Sequence, residues 1–414
     1  MLKNWLAIKL WKRVLAGLVL GAIVGLIIGD QAVVLKPLGD LFINAIKMLV
    51  VPLIFTTLVA GVSSMGTAAQ LGSIGVKAIA LYFGTTVLAI LIGLFMGGFL
   101  QPGAGVDLAT ATPNPVADAP GLVERLIGII PENPVAALAE GNVLSIIFFA
   151  ILFGIGILLA GEQGKPVGRA INSAADVMLQ ITHLVMELAP FGVFALIAWV
   201  AGTQGAATLL NIFTLAVAVY LGCIAHILIV YAGLVKLILG LPIVRFFRGI
   251  LDAQAVAYST SSSSATLPVT ISCVTENLGV DRSISSSVLP LGATINMDGT
   301  ALYLGIVSLF AAQAFGLSLD FSDYVLIALT ASLASIGAAG IPSASLFLLA
   351  TVLQVIDLGP TETALVVGFI LPFDRLLDMA RTAVNVTGDA AVAVTVAKLE
   401  GKLDEDVFRR PAQI

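Results

Sequence analysis

Residues 371–394 read LPFDRLLDMARTAVNVTGDAAVAV and place Asp374, Arg375, Asp378, Arg381 and Asp389 inside a chain that is 59% hydrophobic. On a helix advancing about 100° per residue, Asp374, Asp378, Arg381, Thr382, Asn385 and Asp389 share an arc of roughly 100°. Leu376, Met379, Ala383, Val384 and Val386 take the other side, facing lipid or packed helices. An ionisable group at the centre of a bilayer costs about 2.5–3.5 kcal/mol. Five in one span must therefore line a polar cavity or pair with one another. Asn385-Val-Thr-Gly388-Asp389 adds a glycine at which the helix is expected to loosen and free carbonyls for a ligand. The plainer alternative is a structural ion pair between Asp378 and Arg381 at i, i+3, which leaves Asp374 and Asp389 unexplained.

The elements that position this face follow from composition. The chain has 414 residues, 11% of them charged, with 41 glycines and a mean hydropathy of +1.07. Soluble domains carry about 25% charged residues, so this is a polytopic helical membrane protein. The net charge of −5 is spread over loops and gives no basis for a nucleic-acid partner. Cys223 and Cys273 lie in apolar segments without metal-ligand spacing, and they need not pair. His183 and His226 are far from each other and from the charged segment in sequence, against a histidine-based enzyme. Lys3, Lys9, Lys12 and Arg13 lead into an apolar run with no small-residue cleavage site, which reads as a first transmembrane helix and not a signal peptide.

Apolar runs follow at 14–29, 41–65, 78–106 and 141–161, with a Pro- and Ala-rich acidic loop at 103–140. Residues 169–187 are amphipathic, and 188–235 must hold two crossings turned at Gly202-Thr-Gln-Gly205. Segments 253–275 and 324–356 are uncharged but have Gly, Ser and Pro at mid-depth. That suits a chain that dips in and turns back, tolerated only where protein or water covers the backbone. Each precedes a long helix expected to break in a polar middle, at Asn296–Thr300 and at Asn385–Asp389. The unit occurs twice, the mark of an internal repeat meeting at a midplane site. With the N-terminus inside and six crossings before the first hairpin, inside loops hold Lys77, Lys165, Arg169, Lys236, Arg245, Arg248, Lys398 and Lys402. Outside loops hold mainly Asp30, Asp107, Asp118, Glu132, Asp320, Asp323, Asp357 and Glu362. The positive-inside bias agrees and puts both termini in the cytoplasm.

Four motifs stand in order: STSSSSATLP at 259–268, NMDGT at 296–300, GIPSAS at 340–345, and DMART…NVTGD at 378–389. Together they resemble the dicarboxylate/amino acid:cation symporter family, the glutamate transporter family, across essentially the whole chain. The resemblance implies eight transmembrane helices plus two re-entrant helical hairpins, as inverted repeats in an all-α elevator-type transporter. It also implies a homotrimer in a lipid bilayer, expected in a prokaryotic inner (plasma) membrane. Residues 1–75 would be scaffold helices, 76–106 a transport-domain helix, 107–205 an extracellular loop and further scaffold helices, and 206–414 the transport-domain core.

Family roles carried onto matching positions give Arg381 the substrate's side-chain carboxylate, which suits a bidentate fork. Asp378 would hold its ammonium, and Asn385 with Ser263 its α-carboxylate. Thr300 and Thr382 match hydroxyl contacts, Ile341 offers backbone, and Ser261 and Ser345 flank the site from the two hairpins. No cofactor is implied beyond sodium as coupling ion, a hard cation that wants oxygen ligands. Asp389 with carbonyls of Gly292, Asn296 and Asn385 would form one site. Tyr82, Thr85, Thr86, Asn296 and Asp298 match a second, and Thr294 with carbonyls near Ser335, Ile336 and Ala338 a third.

The C4-dicarboxylate branch of the family tends to lose the carboxylates matching Asp378 and Asp389, whereas this chain keeps both and Arg381. It therefore resembles the sodium-coupled branch for acidic amino acids, L-aspartate or L-glutamate. Leu304 stands where potassium-coupled animal members carry a glutamate. Ser261 and Met379 are uncharged where relatives usually place a second arginine, and the extra arginine here is Arg375. Its destination is open: Asp374, Asp378, or the end of the cavity. The rival readings are a proton-coupled C4-dicarboxylate symporter, a channel, and an intramembrane serine hydrolase built on Ser259–Ser264. The last lacks a histidine or lysine within its segment to activate a serine.

Overall fold

The computed structural model describes residues 8, 10–64, 68–106, 108, 127, 130–204, 206–336 and 344–410. Among these the regular structure is helical, apart from one isolated antiparallel bridge between Val280 and Leu403. Helix α1 (Leu10–Ile28) passes through a 3-10 turn (Gly29–Leu35) into α2 (Lys36–Ser64), and α3 (Ala68–Leu100) follows. Next come α4 (Pro134–Glu140), α5 (Val143–Leu159), the amphipathic α6 (Lys165–Met186) and α7 (Ala189–Gln204). Helix α8 (Ala206–His226) continues through π-helical turns at Ile227–Tyr231 and Leu234–Ile238. Among the described residues four segments are long and apolar enough to cross a membrane: Lys12–Phe42, Ser73–Leu100, Phe213–Ile238 and Arg282–Ala314.

The second half holds the paired short helices expected from the Ser- and Gly-rich segments. After α9 (Ile243–Gly249), α10 (Leu251–Thr260) and α11 (Ser263–Ser272) pack on each other. They are joined at Ser261, whose φ of 54° is left-handed backbone on a non-glycine residue. Helices α12 (Arg282–Ile295) and α13 (Asp298–Ala314) follow, interrupted at Asn296–Met297 as the sequence predicts. The second pair is α14 (Phe321–Ile336) and α15 (Ala344–Gln354), which also pack together. The tip between them, with Ala338 and Ile341, lies outside the described residues. Helix α16 (Pro360–Leu399) and the short α17 (Glu405–Arg409) close the chain.

One expectation is overturned. Helix α16 runs unbroken for 40 residues through Asn385–Asp389, so the second long helix has no break to match Asn296–Met297. Gly388 serves close approach instead: a Cβ there would collide with the Tyr231 hydroxyl and the Asn296 amide. Lipid is also not what covers the less polar side of α16. Met379, Val384 and Val386 are buried in a helix that packs on α12, α10, α13, α8 and α3.

Packing concentrates in two neighbourhoods. In one, α1 lies along α7, and α2 lies on α5, α6 and α7. Gly17, Gly21 and Gly25 recur every four residues on α1, each facing a carbonyl of α7: Pro190, Phe194 and Ala198. A Cβ at Gly21 would stand 2.5 Å from the Phe194 oxygen, so the glycines let the two backbones touch, as membrane helices require when lipid supplies no hydrophobic drive. In the other, α3 packs on α13 and α8, while α12, α10, α13 and α15 surround α16.

Candidate functional site

Asp374, Asp378, Arg381, Thr382, Asn385 and Asp389 all lie on the polar face of α16, and all six are buried. Arg381 is fully inaccessible. Its Nη2 donates to Asp378 Oδ1 at 2.9 Å and to Asp374 Oδ1 at 3.0 Å. The guanidinium carbon stands 3.9 Å from the Tyr303 ring centroid, which adds a cation–π attraction in a desolvated place. The structural ion pair weighed in the sequence is therefore present, and Asp374 shares in it. It occupies only one of the three guanidinium nitrogens, since Arg381 Nε and Nη1 are buried without a hydrogen-bond partner among the described residues. Buried donors left unmade cost about 1–3 kcal/mol each, more for charged groups, so an anion that satisfied both nitrogens would relieve that cost.

The paired helices bring further donors to elements that pack on α16. Ser261 and Ser263 from the α10–α11 turn, and Ser345 in the first turn of α15, have buried hydroxyls without hydrogen-bond partners among the described residues. Ser262 caps α11 by accepting from the Ala265 N–H at 3.1 Å, and helix N-termini favour negative charge. Thr300 is buried in the first turn of α13. The Thr382 hydroxyl donates to the Asp378 carbonyl at 2.8 Å, and Asn385 Oδ1 accepts from the Gly299 N–H at 2.8 Å. Arg375 reaches the hairpin: Nη2 donates to the Thr260 carbonyl at 3.3 Å, while Nη1 lies 3.9 Å from Asp378 Oδ2.

A second cluster forms where α12 breaks. Asn296 leaves helical geometry at φ −85°, ψ 81°. Its Nδ2 donates to the Asn385 carbonyl at 3.0 Å and to Asp389 Oδ1 at 2.9 Å, and its Oδ1 is buried without a hydrogen-bond partner among the described residues. Gly292 is a glycine for space, because a Cβ would lie 2.5 Å from both Asp389 Oδ1 and the Tyr82 hydroxyl. The Tyr82 hydroxyl donates to the Val288 carbonyl at 3.1 Å. The Thr86 hydroxyl donates to Asp298 Oδ1 at 2.6 Å, and that of Thr85 to the Tyr82 carbonyl at 3.1 Å. Two carboxylates, an amide oxygen, carbonyls and hydroxyls in a buried place match the donors a hard cation takes. The third set is not gathered in this way. Thr294 and Ser335 donate to carbonyls of their own helices, Leu291 at 2.9 Å and Ser332 at 2.9 Å. Ile336 ends α14, and Ala338 is outside the described residues.

Two participants escaped the sequence reading. Asp298 Oδ2 accepts from the Tyr231 hydroxyl at 2.7 Å and lies 3.3 Å from His226 Nε2. The two rings meet edge to face with centroids 4.7 Å apart. Residues five apart share a side because Ile227–Tyr231 is π-helical, a widened turn frequent at functional sites. No α-helical spacing announces such a pair.

Comparison with known proteins agrees with this geometry. The model of the sodium:dicarboxylate symporter family matches residues 10–399. The proton/sodium-glutamate symport protein of Geobacillus stearothermophilus is 36% identical over 407 residues, 95% of each chain. The proton/glutamate-aspartate symporter of Escherichia coli (strain K12) is 37% identical over 382 residues, 89% of this chain and 86% of its own. The C4-dicarboxylate transport protein of Azorhizobium caulinodans is 35% identical over 405 residues, 96% and 90%. These relatives are transporters and not enzymes. With a buried arginine–carboxylate face and an oxygen-rich cluster beside it, the chain belongs to the sodium:dicarboxylate symporter family.

Proposed function

We propose that this protein carries an acidic amino acid, L-aspartate or L-glutamate, across the plasma membrane together with sodium. The observation that carries the reading is Arg381: a fully buried guanidinium with two carboxylates on one nitrogen and two nitrogens without a hydrogen-bond partner among the described residues. Asp374 fixes the guanidinium, and Arg381 Nε and Nη1 take the substrate's side-chain carboxylate as a fork. Asp378 takes the ammonium. Asn385 and Ser263 take the α-carboxylate near the N-terminus of α11, with Ser261, Ser345, Thr300 and Thr382 around it.

Sodium is the second cargo. It binds through Asp389, Asn296 and the carbonyls of Gly292 and Asn385, and through Asp298 with Thr86, Thr85 and Tyr82. Asp298, Asp378 and Asp389 exceed Arg381 in charge, and an acidic amino acid adds further negative charge, so several cations restore neutrality. Coupling follows if the α14–α15 pair closes only over a filled site, a differential stabilisation of the closed state. Elevator movement of residues 76–106 and 206–414 against the rest, within a homotrimer, completes the reading. The concentration of packing in two neighbourhoods supports it.

The second reading, a proton-coupled C4-dicarboxylate symporter, is favoured by relatives of that name. Asp378 separates the two, because a dicarboxylate has no ammonium for it. Asp378→Ser is expected to lower aspartate transport at least about tenfold more than succinate transport, the loss of one buried charge-assisted contact. Equal loss of both transports would contradict the ammonium role.

A further inference from the structure

We propose that Arg375 is a specificity-determining residue, a tethered cation that sits where the substrate's ammonium must go. The inference rests on the reading of Asp378 as the ammonium's partner. Asp378 offers Oδ1 to Arg381 at 2.9 Å, and its other oxygen, Oδ2, is faced by Arg375 Nη1 at 3.9 Å. That is ion-pair distance without a hydrogen bond, so the contact is loose and exchangeable. Among the described residues Arg375 is held elsewhere by a single long bond, Nη2 to the Thr260 carbonyl at 3.3 Å. Its Nε is buried without a hydrogen-bond partner among the described residues. A guanidinium anchored this lightly can swing from Asp378 towards the α10–α11 turn.

The two classes of anion then meet Arg375 in opposite ways. An acidic amino acid brings its own cation, and its ammonium must displace Nη1 from Asp378; Arg375 is a competitor, and its presence weakens binding. A dicarboxylate without an amino group leaves Asp378 with Arg375, and gains. The site stays locally balanced, Arg375 and Arg381 against Asp374 and Asp378. Every unpartnered polar group that the described residues offer on Arg381, Ser261, Ser263 and Ser345 can donate to an anion. The arginine thus broadens the site towards dicarboxylates at the expense of amino-acid affinity, while the retained Asp378 keeps the amino acid as a substrate.

The test is labelled-aspartate uptake in proteoliposomes, reading the KM for aspartate and the inhibition constant of succinate in wild type, Arg375→Gln and Arg375→Lys. In Arg375→Gln the aspartate KM is expected to fall about threefold and the succinate constant to rise about threefold or more, the weight of one partly exposed ion pair. Arg375→Lys keeps the charge and is expected to hold succinate within about threefold of wild type. A merely structural arginine would shift both constants the same way, and that result, or no shift in either, overturns the proposal. If Arg375→Gln does not fold, wild type alone still decides: succinate that fails to compete with aspartate overturns it. Aspartate transport with unopposed shifts defeats the Arg375 role only. Absence of aspartate transport in wild type defeats the amino-acid reading and this inference with it.

Discussion

At the residue scale, the site depends on places where a side chain is missing as much as on those where one is present. Gly388 lies in the middle of α16, where alanine would ordinarily be favoured by about 1 kcal/mol. Here a methyl group would strike Tyr231 and Asn296, the residues that hold Asp298 and Asp389. If the proposed sodium reading holds, Gly388→Ala is expected to raise the sodium concentration for half-maximal uptake about tenfold, the result of a displacement costing about 1.4 kcal/mol in the Asn296–Asp389 cluster. Sodium titration of uptake measures it, and an unchanged sodium dependence would contradict the cluster's role. Gly388 also shows how a residue can be legible in type and misread in purpose. A glycine beside Asn and Asp signals either a loosened backbone or a close approach, and only the Tyr231 and Asn296 side chains, from distant segments, decide between them. Arg375 is similar: its charge was evident, but its partner depended on the Thr260 carbonyl reaching α16 from the first hairpin.

At the scale of elements, the parts visible in sequence were those where polar residues interrupt an apolar background. The two short-helix pairs, the break at Asn296–Met297 and the charged face of α16 all obey that rule. The π-helical turn that joins His226 to Tyr231 does not, because its residues are apolar between the two rings. Helix ends carry a further device. The Glu400 carboxylate at the end of α16 accepts from Lys77 Nζ at 2.7 Å and Ser73 Oγ at 2.8 Å, tying the start of α3 to it. The Lys77 bond, and then that of Ser73, hold the Glu400 carboxyl below its ordinary value of 4.5. A lowered native value stabilises the folded state above the unfolded one and is lost as pH falls through the native value. Wild type is accordingly expected to melt above Glu400→Gln at neutral pH in detergent, and the two curves to converge as pH drops below 4.5. A gap that persists in acid would show that the pair is not the source. The tie is only partly buried, so the effect is small.

At the scale of the molecule, the apolar composition gave the membrane class, and the repeated hairpin–helix unit predicted two pairs of short helices, each followed by a long one. They could not give an exact symmetry, since one long helix breaks and the other does not. The asymmetry has a physical cause: Asn296, freed from helical geometry, reaches across to α16 and satisfies itself on the Asn385 carbonyl and Asp389. One break serves both helices. The central claim is that this pair of helices couples an acidic amino acid to sodium, and the most direct test is uptake of labelled aspartate into proteoliposomes under an inward sodium gradient or an inward proton gradient. The account predicts accumulation with sodium and none with protons alone. Accumulation driven by protons in the absence of sodium would contradict it.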